Sequence, residues 1–92
     1  MNWHVYIILC SDATLYTGIT NDLARRYDQH AERRGARYFR GRRPVEVVYL
    51  ERGHSRSSAS RREAAIKKLS RRDKINLLTS SLNVLNDAAA CT

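Results

Sequence analysis

Cysteine is scarce in this chain. Cys10 and Cys91 are its only two, too few for a CxxC metal site or a disulfide framework. Cys10 sits in an apolar run and reads as a reduced core residue. Long hydrophobic runs are missing as well. No segment approaches the ~20 apolar residues that span a membrane, and the run from Val5 to Cys10 is short and has no basic stretch before it. Neither a membrane helix nor a signal peptide is expected, and a cytoplasmic location follows as the default. There are no internal repeats, no low-complexity segment and no zinc motif. Lys and Arg are absent from the first 24 residues.

What is present is a strongly basic middle. The 92 residues carry 17 Lys+Arg against 9 Asp+Glu, a net charge of +8. All 17 basic residues lie between Arg25 and Lys74, where only six acids accompany them, so that stretch has a net charge of +11. Most of the basic residues are arginines, whose guanidinium forks onto phosphate oxygens. A basic middle after a neutral start suggests a surface that faces a polyanion. The length allows one domain, which buries roughly 60–65% of its unfolded surface. An extended substrate is therefore expected to lie across the surface.

Val5 to Cys10 is β-branched and aromatic and reads as a buried strand. Ser11-Asp12-Ala13 is turn chemistry, and Thr14 to Thr17 is a second strand ended by Gly18. Asn21 is the expected cap of a helix that runs to about Arg34 and stops at Gly35, with Leu23, Tyr27 and Ala31 facing inward. After a basic connection, Val45 to Glu51 is a third strand that Gly53 breaks. Helical patterns follow from about Ser57 (Ala59, Ala65, Ile66, Leu69) and, after a bend at Ser70, through Ile75, Leu77 and Leu78. The order β-β-α-β-α-α predicts an α+β domain, a small three-stranded antiparallel sheet flanked by helices. The domain is expected over residues 1–80, with 81–92 a tail.

A three-residue loop pairs Cys10 with Thr14 and therefore Ile8 with Tyr16. Tyr6 shares the face of Ile8, so both hairpin tyrosines point to one side. Arg26 and His30, four apart on the helix, flank its inward stripe and can reach the same face. A phenolate or imidazole can take a proton from water, and a guanidinium can stabilise charge growing on phosphate.

At this point the sequence resembles a known family. Val5-Tyr6, followed ten residues later by Tyr16-Thr17-Gly18, is similar to the paired motif of GIY-YIG nucleases. The run Asn21 to His30 resembles the helix after that motif, and Glu63, within Ser60 to Leu69, resembles the family's metal-binding glutamate. The resemblance extends from Trp3 to about Leu78, over four-fifths of the chain, and is to the small single-domain bacterial branch. His4 stands where the first motif has glycine, Thr17 where the second has isoleucine, and Ile19 where some relatives have lysine.

The resemblance implies metal-dependent hydrolysis of DNA, with RNA as an alternative substrate and DNA repair as a setting. It implies Tyr6, Tyr16, Arg26, His30 and Glu63 as catalytic residues. Glu63 would hold Mg²⁺ or Mn²⁺, Arg26 would brace the phosphate, and either Tyr16 or Tyr6 would activate water. Arg33, Arg34, Arg37, Arg40, Arg42 and Arg43 read as a phosphate track. A monomer is expected, delivered to its substrate by a protein partner. The competing reading is a binding module of the same fold without the chemistry. Local readings compete too: Tyr6 and Tyr16 as a packing pair, Glu63 as the end of a Ser60-x-x-Glu63 capping box or as a partner of Lys67, and His54 as a turn residue without a role.

Overall fold

A computed structural model describes residues 2–32 and 41–86. The elements are β1 (Trp3–Cys10), β2 (Leu15–Thr20), α1 (Leu23–Ala31), β3 (Pro44–His54), α2 (Arg56–Lys67) and α3 (Arg71–Leu78). The three strands form one antiparallel sheet in the order β2-β1-β3. The central strand is the one that is apolar on both faces, and Val5, Tyr6, Ile7 and Ile8 are all buried.

The hairpin forms around the expected loop. Cys10 N–H donates to the Thr14 carbonyl at 2.9 Å and Ala13 N–H to the Cys10 carbonyl at 2.9 Å. Ala13 takes the left-handed conformation, φ 67°, that closes a three-residue hairpin loop. The register is Ile8 with Tyr16 and Tyr6 with Gly18. Two glycines expected to end strands instead lie inside them. Gly18 continues into β2 through Thr20, and Gly53 sits in β3 at φ 79°. The first is an edge-strand position that takes the ring of a neighbour, and the second is a left-handed step that an L side chain would strain.

The two sheet faces bury different helices. Val5 and Ile7 pack with Tyr49, Ala59 and Ile66, so α2 and α3 cover that face, α3 through Leu77 and Leu78. Tyr6, Ile8, Cys10 and Leu50 pack with Tyr16, Leu23 and Tyr27, so α1 covers the other, joined by Val84 and Leu85. The cap of α1 is Asp22 rather than Asn21, its carboxylate accepting from Arg25 N–H at 3.1 Å. His30, not Ala31, is the buried residue of its last turn. Positions 23, 27 and 30 share a helical stripe as well as 23, 27 and 31 do, and the imidazole has a partner inside. Likewise Ala65 and Ile75 are exposed where an inward position was expected. The expected helix end at Gly35 and the arginines 33, 34, 37 and 40 lie outside the described residues, as does Cys91.

Ser55 caps α2 in a reciprocal box with Ser58, so Glu63 lies two turns into the helix and not at its start. Ser70 caps α3. Asn83, in the segment after α3, is buried. Its carbonyl oxygen accepts from Leu50 N–H at 3.2 Å and Leu85 N–H at 3.1 Å, and its amide donates to the carbonyls of Val48 at 2.9 Å and Leu78 at 3.0 Å. Each backbone group left buried without a partner costs roughly 1–3 kcal/mol. Asn83→Ala should therefore lower stability by about 2–4 kcal/mol in urea unfolding, whereas an unchanged midpoint would mean that the segment after α3 contributes nothing to the fold.

Candidate active site

Gly18 is where the site begins. A Cβ built on it would lie 2.5 Å from the Tyr6 hydroxyl and 2.6 Å from its ring carbon. Only the missing side chain lets the Tyr6 phenol lie across its cross-strand partner. From there the hydroxyl meets His30 Nε2 at 3.1 Å. Tyr16 completes a three-ring cluster. Its centroid is 6.3 Å from Tyr6 and 5.3 Å from His30, the latter edge to face, within the usual range for attractive aromatic pairs. Tyr6 and His30 are buried, while Tyr16 is half-buried.

Burial, with neighbouring Tyr16, pushes the Tyr6 phenol up to about 12. Hydrogen bonding and positive charge from Arg26 act against it, and Glu63 reinforces it. Burial, joined by the nearby Arg26 guanidinium, lowers His30 to about 4. The imidazole is therefore neutral at pH 7. Arg26 is half-buried and donates from Nη1 to the Gln29 side-chain oxygen at 3.1 Å. Glu63 approaches from α2 on the other helical layer, close enough for its charge to act on Tyr6. It also pairs with Lys67 at 3.4 Å, and its side chain is 23% exposed.

The rotation of α2 is fixed by a cluster that no local pattern in the sequence announced. Glu51 on β3 accepts from the Tyr49 hydroxyl, from Arg62 Nε at 2.8 Å and from His54 Nε2 at 2.9 Å. His54 Nδ1 in turn meets Ser58 Oγ at 3.0 Å. Burial alone would raise the Glu51 carboxyl, but the three hydrogen bonds and the Arg62 charge outweigh it and hold it below its ordinary value. Arg62 immediately precedes Glu63, so the clamp on one sets the direction of the other. His54, expected to have no role, is thus part of the β3–α2 seam. The available signal was that Tyr49 and Glu51, two apart on a strand, share a face.

Among the described residues no group of three His, Cys, Asp or Glu side chains could hold a metal. Glu63 alone therefore fits only an ion that keeps most of its waters, which describes Mg²⁺ and Mn²⁺. Arg42 and Arg43 stand elsewhere. Arg42 pairs with Asp12 at 3.1 Å and donates to Thr14 Oγ1 at 3.3 Å. Ser11 N–H donates to the Arg43 carbonyl at 2.9 Å, and Arg43 N–H donates to Ser11 Oγ at 3.0 Å. That end of β1 is four residues from Tyr6, roughly 13 Å along the strand.

A sheet whose two tyrosines meet an arginine and a histidine over a glycine is the arrangement expected of one catalytic-domain class. The family model described as the GIY-YIG catalytic domain matches residues 2–76, and the chain belongs to that family. Within it, the chain is similar to a UPF0213 protein of Desulfotalea psychrophila, at 54% identity over 86% of this chain and 73% of that one. It is similar to a UPF0213 protein of Natronomonas pharaonis at 49% identity, over 82% of this chain and 88% of that one. The solution NMR structure of a UPF0213 protein from Bacillus halodurans matches with a TM-score of 0.57 at 43% identity, covering 89% of this chain and 87% of that one.

Two outcomes follow from the geometry. Gly18→Ala places a methyl group inside the Tyr6 phenol and should cost about 1–3 kcal/mol, as overpacking does. NMR should show the His30 titration moving back toward 6.5 as displacement of the Tyr6 ring lessens the burial of the imidazole; a variant with native stability and an unmoved His30 would contradict the close approach. The second concerns pH. The folded value of His30 lies below its unfolded value of about 6.5, so the unfolded chain binds the proton more readily. Stability is then full above pH 6.5 and falls as the pH drops toward 4, by up to about 3 kcal/mol. Denaturation midpoints across that range should slope in the native chain and flatten in His30→Gln.

Proposed function

We propose that the chain hydrolyses phosphodiester bonds in DNA with the help of one divalent metal ion, selecting substrates by shape rather than by sequence. The observation that carries this reading is the gathering of Tyr6, which lies over Gly18, with Tyr16, His30, Arg26 and Glu63, from two strands and two helices of different layers. Exposed Arg56, Arg61, Lys67, Lys68, Arg71 and Arg72 on α2 and α3 support a polyanionic substrate, in addition to the arginines between 33 and 43.

Tyr16 is the better candidate for the proton acceptor. Tyr6 is buried, bonded to His30 and held at about 12, which suits it to fix the orientation of the cluster. Tyr16 is more exposed, and its ring lies edge to face with the neutral imidazole. In this reading it orients the attacking water and draws off its proton. Arg26 takes the charge that develops on the phosphate oxygens in the transition state. Glu63 would hold Mg²⁺ or Mn²⁺, and a bound ion supplies further neutralisation of phosphate charge. One carboxylate implies weak binding that the substrate phosphate completes, and Lys67 must yield its place beside that carboxylate. A protein partner that delivers the monomer to its target is part of the same proposal.

The test is cleavage of labelled DNAs and RNAs (single strands, nicks, flaps and junctions) with Mg²⁺ or Mn²⁺. Glu63→Ala should abolish cleavage, and Arg26→Ala should slow it about 10²–10³-fold with little loss of binding. Binding without cleavage on every substrate would instead favour a module that keeps the fold and not the chemistry.

A further inference from the structure

Beside Arg26 lies a second feature that the reaction described above does not use. A polar hollow of about 200 Å³ opens between the start of β1, the end of β2 and the first turns of α1, lined by Trp3, Thr20, Asp22, Arg25, Arg26 and Gln29. It is well below the ~300–1,000 Å³ of pockets that enclose drug-sized ligands, so it suits one ring system. A larger hollow of about 850 Å³ runs along the opposite side of α1, between Leu23, Tyr27, Val45 and Val47. That one is apolar and carries none of the candidate catalytic residues.

The chemistry of the smaller hollow is specific. Trp3, the sole tryptophan of the chain, is half-buried against the Val5 and Ile7 cluster and has the Arg56 guanidinium over its ring at 5.5 Å. The indole is thereby braced from the α2 side and electronically polarised. On the α1 side, the Gln29 carboxamide oxygen is taken by Arg26 and the Asp22 carboxylate caps Arg25 N–H. Gln29 therefore offers a ligand N–H donors, while Asp22 keeps acceptor capacity. Arg25 is exposed at the rim. An aromatic platform, one donor, one acceptor and a cation beside a phosphate-directed arginine match a nucleobase and its phosphate. The hollow reaches Thr20, two residues along β2 from Gly18, roughly 7 Å at ~3.3 Å per residue. We infer that this hollow is a subsite for a single nucleobase, stacked on Trp3, adjacent to the phosphate held by Arg26. The adjacency rests on the proposed role of Arg26; base binding at Trp3 does not.

The experiment reads Trp3 fluorescence on the full chain, without divalent metal so that nothing is cut. The probes are a short single-stranded oligothymidylate and the same strand with abasic sites. The intact strand should quench Trp3 and the abasic strand should not. Base–aromatic stacking sets the expected loss for Trp3→Ala at about 5- to 150-fold in affinity for the intact strand, measured by anisotropy, with Trp3→Phe largely retaining it. Equal affinity and equal quenching by intact and abasic strands would overturn the subsite. If Trp3→Ala fails to fold, the two-strand comparison on the native chain decides alone. Quenching by the intact strand alone, with no cleavage of any substrate once metal is added, would uphold the subsite and remove the nuclease reading instead.

Discussion

The candidate site depends on one close approach, the Tyr6 phenol lying over the backbone of Gly18. The contacts of the Tyr6 hydroxyl follow from it. Because residue 18 has no side chain, a tyrosine of the central strand can reach the edge of its own sheet. At that edge its hydroxyl meets an imidazole from α1, and its charge environment feels a carboxylate from α2. A sheet normally separates the helices packed on its two faces. Here the edge strand is thin enough at one point for both layers to address the same hydroxyl.

The second requirement is that the helices stand at the right rotation. For α1 this is set by burial, with Leu23, Tyr27 and His30 on one stripe and Tyr27 tied through its hydroxyl to the Val45 carbonyl at 3.0 Å. For α2 burial is a weaker guide, since only Ala59 and Ile66 are fully enclosed. The Glu51 carboxylate fixes it instead, holding Arg62 and His54 at once. A half-buried acid with three donors is an expensive group to leave unmatched, so the seam between β3 and α2 has one strongly preferred alignment, and Glu63 inherits its direction.

Much of this was legible in the residues. The hairpin register followed from a three-residue loop, because side chains alternate strictly along a strand and one fixed pair fixes the rest. The element order and the break between the later helices at Ser70 were marked by local chemistry. The misreadings share a cause. Glycine usually weakens a strand, but Gly18 and Gly53 are kept inside theirs by demands from elsewhere: a partner's ring in one case, a left-handed step in the other. His30 and Ala31 are equivalent to a helical periodicity, and only the tyrosine across the interface distinguishes them. Glu51, Arg62 and Asn83 act through partners eleven to thirty-five positions away, and no local pattern announced such pairs. The nearest signal for Asn83 was a polar residue set among Leu82, Val84 and Leu85.

Asn83 also changes what the sheet presents to other molecules. An outer strand of a sheet carries a row of unmet amides and carbonyls, which is a template for another chain to add to. The Asn83 carboxamide takes the N–H of Leu50 and the carbonyl of Val48, two positions on the same side of β3, as the backbone of an added strand would. One side chain thus imitates a short piece of a fourth strand and closes that rim against edge-to-edge polymerisation. The sheet's other rim is β2, and there the candidate site itself occupies the edge.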